Sequence, residues 1–218
     1  MDFYQVLNRG VEKRNIVVDE ADRLRFMQGL YLYNDKQLVD RNVRRLTPGS
    51  TFTRKRELLV HIHAYCLMDN HYHLLLSPID DDPTNLSAYM RKLNMGYAKY
   101  FNEKYERSGS LWQGKYKSIP VVQDSHFMYI PYYIHLNPLD YVMPEWREGG
   151  VKNTTKALEY LQQYRWSSHL SYQTNAHYQS ILNTHTLRHL LGSAQEQEDS
   201  IAHVISSPEL AKKSSLLE

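Results

Sequence analysis

Two short apolar runs, separated by a two-residue turn, constrain the fold of this chain more than any other feature of its sequence. Residues 58–68 and 71–77 both have the length and the apolar content of a strand, and the turn-forming pair Asp69-Asn70 lies between them. Runs joined in this way predict an antiparallel β-hairpin, which we expect to end at Ser77-Pro78.

The second strand begins with His71 and His73 on either side of a tyrosine. Side chains alternate along a strand, so the two imidazoles share one face, with Cβ atoms about 7 Å apart at a rise of roughly 3.3 Å per residue. That separation suits two ligands of one metal ion. A His-x-His pair is also common by chance as two half-exposed strand residues. His61 and His63 on the partner strand form another such pair, which we interpret as structural or as a support for the ligands.

Tyr133 and Asn137 lie one helical turn apart, which places both side chains on one face of a helix. An asparagine oxygen is a hard ligand, so two histidines, one asparagine and oxygens of solvent or phosphate suit Mg²⁺ or Mn²⁺. The metal would polarise a phosphate, and Tyr133 would attack it. Tyr132 is the competing nucleophile, but it points about 100° away on a helix and does not share the face of Asn137. In a chain with 18 tyrosines, Tyr133 could also be a core or interface residue.

The remaining patterns predict an α+β fold, namely a ferredoxin-like or RRM-like antiparallel sheet with helices packed on one face. Before the hairpin we expect a strand at 3–8 and a helix from Asp19 to about Tyr33. After the hairpin we expect a helix from Pro83 to about Tyr105, a strand or extended segment at 111–122 and a helix from Asp124 to about Asn137. Pro131 predicts a kink in this last helix. Short helices are expected at 155–164 and 180–191. Residues 193–218 are expected to form a weakly ordered tail or a small terminal helix.

Composition narrows the class of protein. The 218 residues suit one domain, alone or with appendages, and a single cysteine, Cys66, excludes an intramolecular disulfide framework and fits a reducing compartment. Cys66 lies in an apolar run and is expected in the core. No signal peptide is visible, and no apolar stretch approaches the ~20 residues that span a bilayer, so we expect a soluble, cytoplasmic protein with no membrane partner.

Local basic clusters must supply any affinity for nucleic acid, because the net charge is only +2. Residues 34–56 are polar and lack periodicity, which indicates either a solvated loop or an arm that contacts phosphates. Tyrosines can stack on unpaired bases as well as fill a core. The basic residues expected to contact DNA are Arg44, Arg45, Arg54, Lys55, Arg56, Arg91, Lys92, Lys115 and Lys117.

Four blocks of sequence resemble the HUH single-tyrosine transposases, and most closely the REP-associated tyrosine transposases. The blocks are residues 65–76, 109–117, 133–138 and 164–168. Their order and spacing fit the family, and the resemblance covers roughly residues 3–190. Relatives in insertion sequences have a glutamine at the position of Asn137, whereas the REP-associated branch has an asparagine.

The resemblance implies that His71, His73 and Asn137 bind the divalent metal, Mg²⁺ or Mn²⁺, and that Tyr133 is the nucleophile. The product of its attack would be a 5′-phosphotyrosine. The implied partner is single-stranded DNA with imperfect hairpins, which the protein would cleave and rejoin as a monomer or a homodimer.

The same resemblance implies a division of the chain. Residues 1–142 would form the catalytic domain, which contains a basic insertion at about residues 34–56. Residues 143–192 would form a C-terminal part that packs on this domain, and residues 193–218 would form the tail.

Two other functions are compatible with these residues. A protein derived from a transposase could bind DNA or RNA hairpins without cutting them, and a metal-dependent phosphodiesterase could use water in place of tyrosine. The presence of every expected catalytic residue favours an enzyme over a binding module. A covalent adduct with DNA would distinguish the transposase chemistry from hydrolysis.

Overall fold

Four strands form one antiparallel sheet in the structure, a computed structural model that describes residues 1–37, 56–174 and 178–209. The strands are β1 (Tyr4–Arg9), β2 (Val60–Leu67), β3 (His71–Pro78) and β4 (Lys117–Pro120). They lie in the order β2-β3-β1-β4, and each neighbouring pair is antiparallel. The predicted α+β fold with an antiparallel sheet is confirmed.

Seven α-helices accompany the sheet in the described ranges. They are α1 (Glu20–Leu32), α2 (Pro83–Lys104), α3 (Asp124–Leu136), α4 (Thr154–Gln163), α5 (His169–Thr174), α6 (His185–Leu191) and α7 (Ala194–Ser206). The predicted starts of α1 and α2 are confirmed. Asp19 and Asp22 form a capping box at the first, and Asp82 accepts a backbone hydrogen bond ahead of Pro83 at the second.

The predicted hairpin is formed by β2 and β3, with one irregularity. Ile62 pairs with Leu76 and Ala64 pairs with Leu75, so His63 is an extra residue in β2. Such a β-bulge bends the strand locally and increases its twist. The alternation of side chains in β2 therefore changes at His63, whereas β3 keeps a regular alternation from its first residue.

One face of the sheet is covered by α1 and α2, as predicted. Tyr72, Leu74 and Leu76 of β3 point to this side and join the core that the two helices form. The hydroxyl of Tyr72 donates a hydrogen bond to the side-chain oxygen of Asn94 in α2 at 2.7 Å. Apolar burial and paired polar groups together stabilise this layer.

The opposite face is covered by α3, which is supported by helices later in the chain. Ala64, Cys66 and Leu75 pack on this side with Tyr133 of α3. The expectation of helices on one face is therefore incomplete, because α3 adds a second layer. Cys66 is a buried free cysteine, which confirms its predicted place in the core. The helix continues through Pro131.

Two predicted elements are wrong in extent. The strand expected at 111–122 is confined to β4, and Trp112 joins Gly10 through an isolated bridge. The backbone N–H of Gln113 still donates to the carbonyl of Arg9 at 2.9 Å, but the ladder between β1 and β4 ends at the pair Leu7 and Lys117. The helix expected at 180–191 begins only at His185, because the backbone N–H of Asn183 donates to a carbonyl of β2 and holds the preceding residues to the sheet.

The C-terminal region is more ordered than the expected tail. α7 begins at a capping box formed by Ser193 and Glu196, and its buried Ile201 and Ile205 face the layer that contains α3 and α4. The prediction of a weakly ordered tail is therefore wrong for the residues of α7, and the alternative prediction of a terminal helix is confirmed. The helix α5 was not expected from the sequence. The domain boundaries after residues 142 and 192 stay predictions.

Most of the basic insertion, residues 38–55, lies outside the described residues. Its first residues contact the sheet, since the Asn34 side chain accepts hydrogen bonds from the backbone of Leu59 and Val60 at 3.0 Å. None of the helices in the three described ranges is long and apolar enough to cross a membrane.

Candidate active site

The His71 and His73 side chains lie together on the face of β3 that α3 covers. Their ring centroids are 5.0 Å apart, and the rings meet edge to face. Both are buried, with 7% and 1% of their surfaces exposed. The structure therefore confirms that the alternation of the strand places the two imidazoles on one face.

Hydrogen bonds determine which nitrogen atoms of these histidines are available. His71 Nδ1 lies 2.6 Å from the side-chain oxygen of Asn70, while the Asn70 amide group donates to the carbonyl of Lys13 at 3.2 Å. An oxygen acceptor at this position requires a proton on Nδ1, which leaves a lone pair on Nε2. Both ring nitrogens of His73 are buried and have no hydrogen-bond partner among the described residues. Unpaired buried nitrogens are costly, and a metal ligand is one role that explains them.

The environment of the two histidines keeps them neutral. Burial lowers the pKa of His71 to about 4, against a weaker opposite effect of a hydrogen bond with Asn137. Burial also lowers the pKa of His73 well below its ordinary value, and His71 adds to this effect. A neutral imidazole is the form that coordinates a metal ion, so at neutral pH both side chains have the required protonation state.

Tyr133 of α3 packs directly against this pair. Its ring meets the His73 ring edge to face, with 5.5 Å between the centroids. The side chain of Tyr133 is fully buried. Tyr132 points elsewhere and is half-buried at the edge of the core on this face. The geometry agrees with the prediction that Tyr133, and not its neighbour, faces the histidines.

Asn137 directly follows α3 and is fully buried beside the same histidines. Its side-chain amide donates to the carbonyl of Tyr133 at 2.7 Å, which fixes the side chain one turn from the tyrosine. Its side-chain oxygen accepts a hydrogen bond from Arg147 at 3.2 Å. The structure thus brings together His71, His73, Tyr133 and Asn137.

Arg147 and Asp140 are site residues that sequence reasoning missed. Two nitrogens of Arg147 bond to Asp140 at 2.8 Å and 2.7 Å, and the guanidinium also lies 5.7 Å from the centre of the Tyr133 ring. Burial opposes the charge of Arg147, but hydrogen bonds to Asp140 and Tyr133 raise its pKa above the ordinary value. The site therefore keeps a fixed positive charge beside the tyrosine. No periodic pattern marks these residues in the sequence.

A layer of side chains closes the site on the side of Arg147. Trp146 is fully buried, its ring centroid is 6.2 Å from that of Tyr133, and the Arg147 guanidinium lies 4.7 Å from the centre of the Trp146 ring. The Trp146 indole N–H donates to Asp140 at 2.7 Å. The structure therefore describes the tyrosine in a closed arrangement, in which its side chain is not exposed to a phosphate.

An open cavity of about 340 Å³ lies on the other side of the histidines, and predicted DNA-binding residues line it. Lys115 comes from the segment before β4, Lys117 is the first residue of β4, and Arg9 comes from β1. The complete lining is Leu7, Asn8, Arg9, His71, His73, Gln113, Gly114, Lys115 and Lys117. Positive charge beside the histidine pair suits a phosphate group.

Two of the predicted DNA-binding residues are engaged within the protein. The Lys92 ammonium donates to the carbonyls of Asp35, Lys36 and Gln37, and burial lowers its pKa. Arg56 donates to the carbonyl of Tyr31 at 2.7 Å and stacks on that ring. Contacts of Lys92 and Arg56 with DNA stay predictions, and their bonds indicate a structural role instead.

The other predicted basic residues divide into two groups. Arg91 is exposed on α2 and lines a second cavity next to the first. Outside the described residues lie Arg44, Arg45, Arg54 and Lys55.

The second histidine pair has a structural role. His63 lies 2.8 Å from the hydroxyl of Ser77, and His61 Nδ1 lies 3.0 Å from the side-chain amide of Asn183. No group of three or more His, Cys, Asp or Glu side chains that could hold a metal occurs in the described ranges. Any metal at His71 and His73 therefore needs another kind of third ligand, and Asn137, which lies beside His71, offers an oxygen of suitable chemistry.

Comparisons with known proteins give one family model and a solved structure to which the chain is similar. Residues 37–137 match the family model described as "Transposase IS200 like", and this range contains both site histidines, Tyr133 and Asn137. No curated protein matches the chain. Among solved structures, the chain is similar to a REP-associated tyrosine transposase bound to a REP hairpin. The sequence identity is 14%, the match covers 77% of this chain and 75% of that one, and the TM-score is 0.44.

Proposed function

This chain belongs to the family of IS200-like transposases, and on that premise we propose that it cleaves and rejoins single-stranded DNA at hairpin-bearing elements through a 5′-phosphotyrosine. Members of the family are in general HUH tyrosine nucleases that depend on a divalent metal. One observation carries the proposal for this chain: the unpartnered nitrogens of buried His73 lie beside the ring of Tyr133. The DNA hairpin as substrate comes from the resemblance of the sequence blocks.

The metal would be held by His71, His73 and Asn137. The donor set fits, because Nδ1 of His71 is engaged with Asn70 and leaves Nε2 as the donor atom, His73 has two unpartnered nitrogens, and Asn137 offers a hard oxygen ligand next to His71. When bound, Mg²⁺ or Mn²⁺ would polarise the scissile phosphate and stabilise the developing negative charge. Asn70 orients the first histidine through its Nδ1, as partners of metal ligands commonly do.

Tyr133 would form a bond from its phenolic oxygen to the phosphorus, and the bond from phosphorus to the 3′-oxygen of the preceding nucleotide would break. The phenol loses its proton to solvent, and the departing 3′-oxygen gains one. A phenol has an ordinary pKa of about 10, so it must be activated. Arg147 is placed for this role, since a permanent cation next to the phenol favours the phenolate. Asp140 holds the guanidinium in position.

The phosphotyrosine retains the free energy of the broken phosphodiester bond. A free 3′-hydroxyl can therefore attack the same phosphorus, release Tyr133 and join a strand without a nucleotide cofactor. Lys115 and Lys117 would hold the strand at the open cavity during both steps. Because Tyr133 is fully buried, side chains around it must move before the first step.

The test is to incubate the protein with end-labelled single-stranded DNA that contains an imperfect hairpin, in the presence of Mn²⁺, and to separate products on a denaturing gel. We expect a covalent protein–DNA band with the wild type, no band with Tyr133→Phe, and a band with the matched control Tyr132→Phe. Cleavage without a band would indicate a phosphodiesterase that uses water. Binding without cleavage on every hairpin would indicate the non-cutting binding module.

A further inference from the structure

A second cavity of about 340 Å³ lies next to the histidine cavity, between α2 and the segment that precedes β4. The two cavities share Asn8, Gly114 and Lys115. A Cβ atom added to Gly114 would meet no other atom within 4 Å, so the backbone between the cavities is open. A chain molecule bound in the first cavity can therefore continue over Gly114 into the second.

The walls of the second cavity combine apolar and aromatic side chains with cations. Met95 of α2, which is 67% exposed, and the half-buried Tyr116 both line the cavity, and the Tyr116 hydroxyl is 3.5 Å from that of Ser87. Arg91 and Lys115 also line it, and the Lys115 ammonium is 5.7 Å from the centre of the Tyr116 ring. Flat apolar walls with cations at the rim are the features that bind an unpaired nucleobase and its phosphates.

Asn94 provides a polar group inside this cavity. Its side-chain oxygen accepts from the hydroxyl of Tyr72 at 2.7 Å, and its backbone oxygen accepts from the indole of Trp112 at 3.0 Å. These bonds fix the orientation of the amide, so its nitrogen is the side-chain atom left for a ligand. That nitrogen has no hydrogen-bond partner among the described residues. An amide N–H₂ group can donate to the ring nitrogens or carbonyl oxygens of a base.

We propose that this cavity binds one unpaired nucleobase of the DNA strand whose phosphate lies at the histidine cavity. The proposal rests on the proposed function and adds a subsite to it. Tyr116 and Met95 would stack on the base, Asn94 would donate to its edge, and Arg91 and Lys115 would contact the phosphates on either side of it. Binding of the base would position the scissile phosphate relative to His71 and His73.

An abasic scan tests this subsite. Full-length Tyr133→Phe protein, which should not cleave, is titrated with a labelled hairpin DNA in which each unpaired nucleotide in turn is replaced by an abasic site. We expect one position at which removal of the base weakens binding by roughly 5- to 150-fold, the loss that accompanies removal of one stacking contact. In proteins that also carry Tyr116→Ala or Met95→Ala, the same abasic site should cause little further loss.

Controls separate this subsite from the proposed function. Met95→Ala changes an exposed side chain and should leave the thermal unfolding temperature unchanged, so loss of binding cannot come from misfolding. Met128→Ala removes a comparable methionine, 53% exposed, from α3 and should keep the full abasic effect. The subsite alone would be overturned if every abasic site weakened binding equally. It would also be overturned if the abasic site weakened binding as much in both cavity variants as in the protein with an unchanged cavity. If the Tyr133→Phe protein with an unchanged cavity bound none of the hairpins, both the subsite and the proposed function would be wrong.

Discussion

The hydroxyls of Tyr72 and Tyr97, on the side of the sheet that α1 and α2 cover, have hydrogen-bond partners, whereas the nitrogens of His73, on the side that α3 covers, have none among the described residues. Tyr72 donates to Asn94, and Tyr97 donates to the carbonyl of Ile16 at 2.6 Å. Both nitrogens of His73 lack a partner in the described part of the chain. Both sides are built from one strand, β3, because alternate residues point to opposite faces. The comparison indicates that β3 carries a paired polar group on one face and, on the other, a histidine that is unpaired within the described ranges and whose burial costs free energy.

The largest expected effect on stability comes from the α1 and α2 face. Leu74→Ala should lower the free energy of unfolding by about 2–5 kcal/mol, because Leu74 is fully buried and its loss leaves a cavity. Chemical denaturation of the metal-free protein measures this value. A loss below about 1 kcal/mol would mean that this layer relaxes easily, and the contrast between the faces would weaken.

Arg147→Ala tests the α3 face through activity. We expect the rate of adduct formation to fall roughly 10²- to 10³-fold, as when a group that stabilises developing charge is removed. Single-turnover gels at saturating DNA provide the rate. Arg165→Ala is the matched control, because it removes an exposed arginine that pairs with Glu20, and it should leave the rate unchanged. An unchanged or faster rate in Arg147→Ala would show that this residue only covers the tyrosine.

A pair of neighbouring substitutions compares the faces within one strand. Tyr72→Phe should destabilise the protein by about 1–3 kcal/mol, because it leaves the Asn94 oxygen without its donor. His73→Leu removes two unpartnered nitrogens, so the metal-free protein should be as stable as the wild type or more stable. It should also abolish the rise in melting temperature that Mn²⁺ causes in the wild type. Equal destabilisation by both changes would contradict the comparison.

The two faces should also respond to acid in different pH ranges. Burial lowers the pKa of His63 and of His169 to about 4, so the unfolded chain takes up protons first as the pH falls below 6.5. Stability should therefore decrease between about pH 6.5 and 4, by up to about 1.4 kcal/mol per pH unit for each histidine. His169→Gln should reduce this pH dependence by up to about 1.4 kcal/mol per pH unit, the contribution of one histidine, in unfolding curves measured at a series of pH values. An unaltered slope would show that His169 is not a source of the acid sensitivity.

Asp22 on the other face should act at lower pH. Burial alone would raise its pKa, but hydrogen bonds from Lys104 and Tyr105 lower it below the ordinary value of 3.8. Its contribution to stability is therefore present above pH 3.8 and is lost as the pH falls below that value. In Asp22→Asn the unfolding curves should lose pH dependence only in this lower range, and a change near pH 6 would contradict the assignment.

Relations within one element could be predicted from the sequence. The shared face of His71 and His73 follows from the period of a strand, and that of Tyr133 and Asn137 follows from one helical turn. The sequence also predicted the start of α1 and the hairpin. These features depend on residues close in the chain, whose spacing alone determines how they are placed.

Relations between distant segments could not be predicted in the same way. Arg147 lies in an irregular stretch, and only the fold brings it to Tyr133 and Asn137. Lys92 and Lys115 look alike in sequence, but one is bonded to three backbone carbonyls and the other lines both cavities. Charge alone does not tell whether a lysine stabilises a loop or binds a ligand.

The most direct test of the central claim is to locate the covalent bond between protein and DNA. The wild type is allowed to react with hairpin DNA and Mn²⁺, the products are digested with protease and nuclease, and the modified peptide is sequenced by mass spectrometry. We predict a nucleotide attached through its 5′-phosphate to Tyr133. A nucleotide on Tyr132 or on any other residue would contradict the account, as would cleaved DNA with no modified peptide.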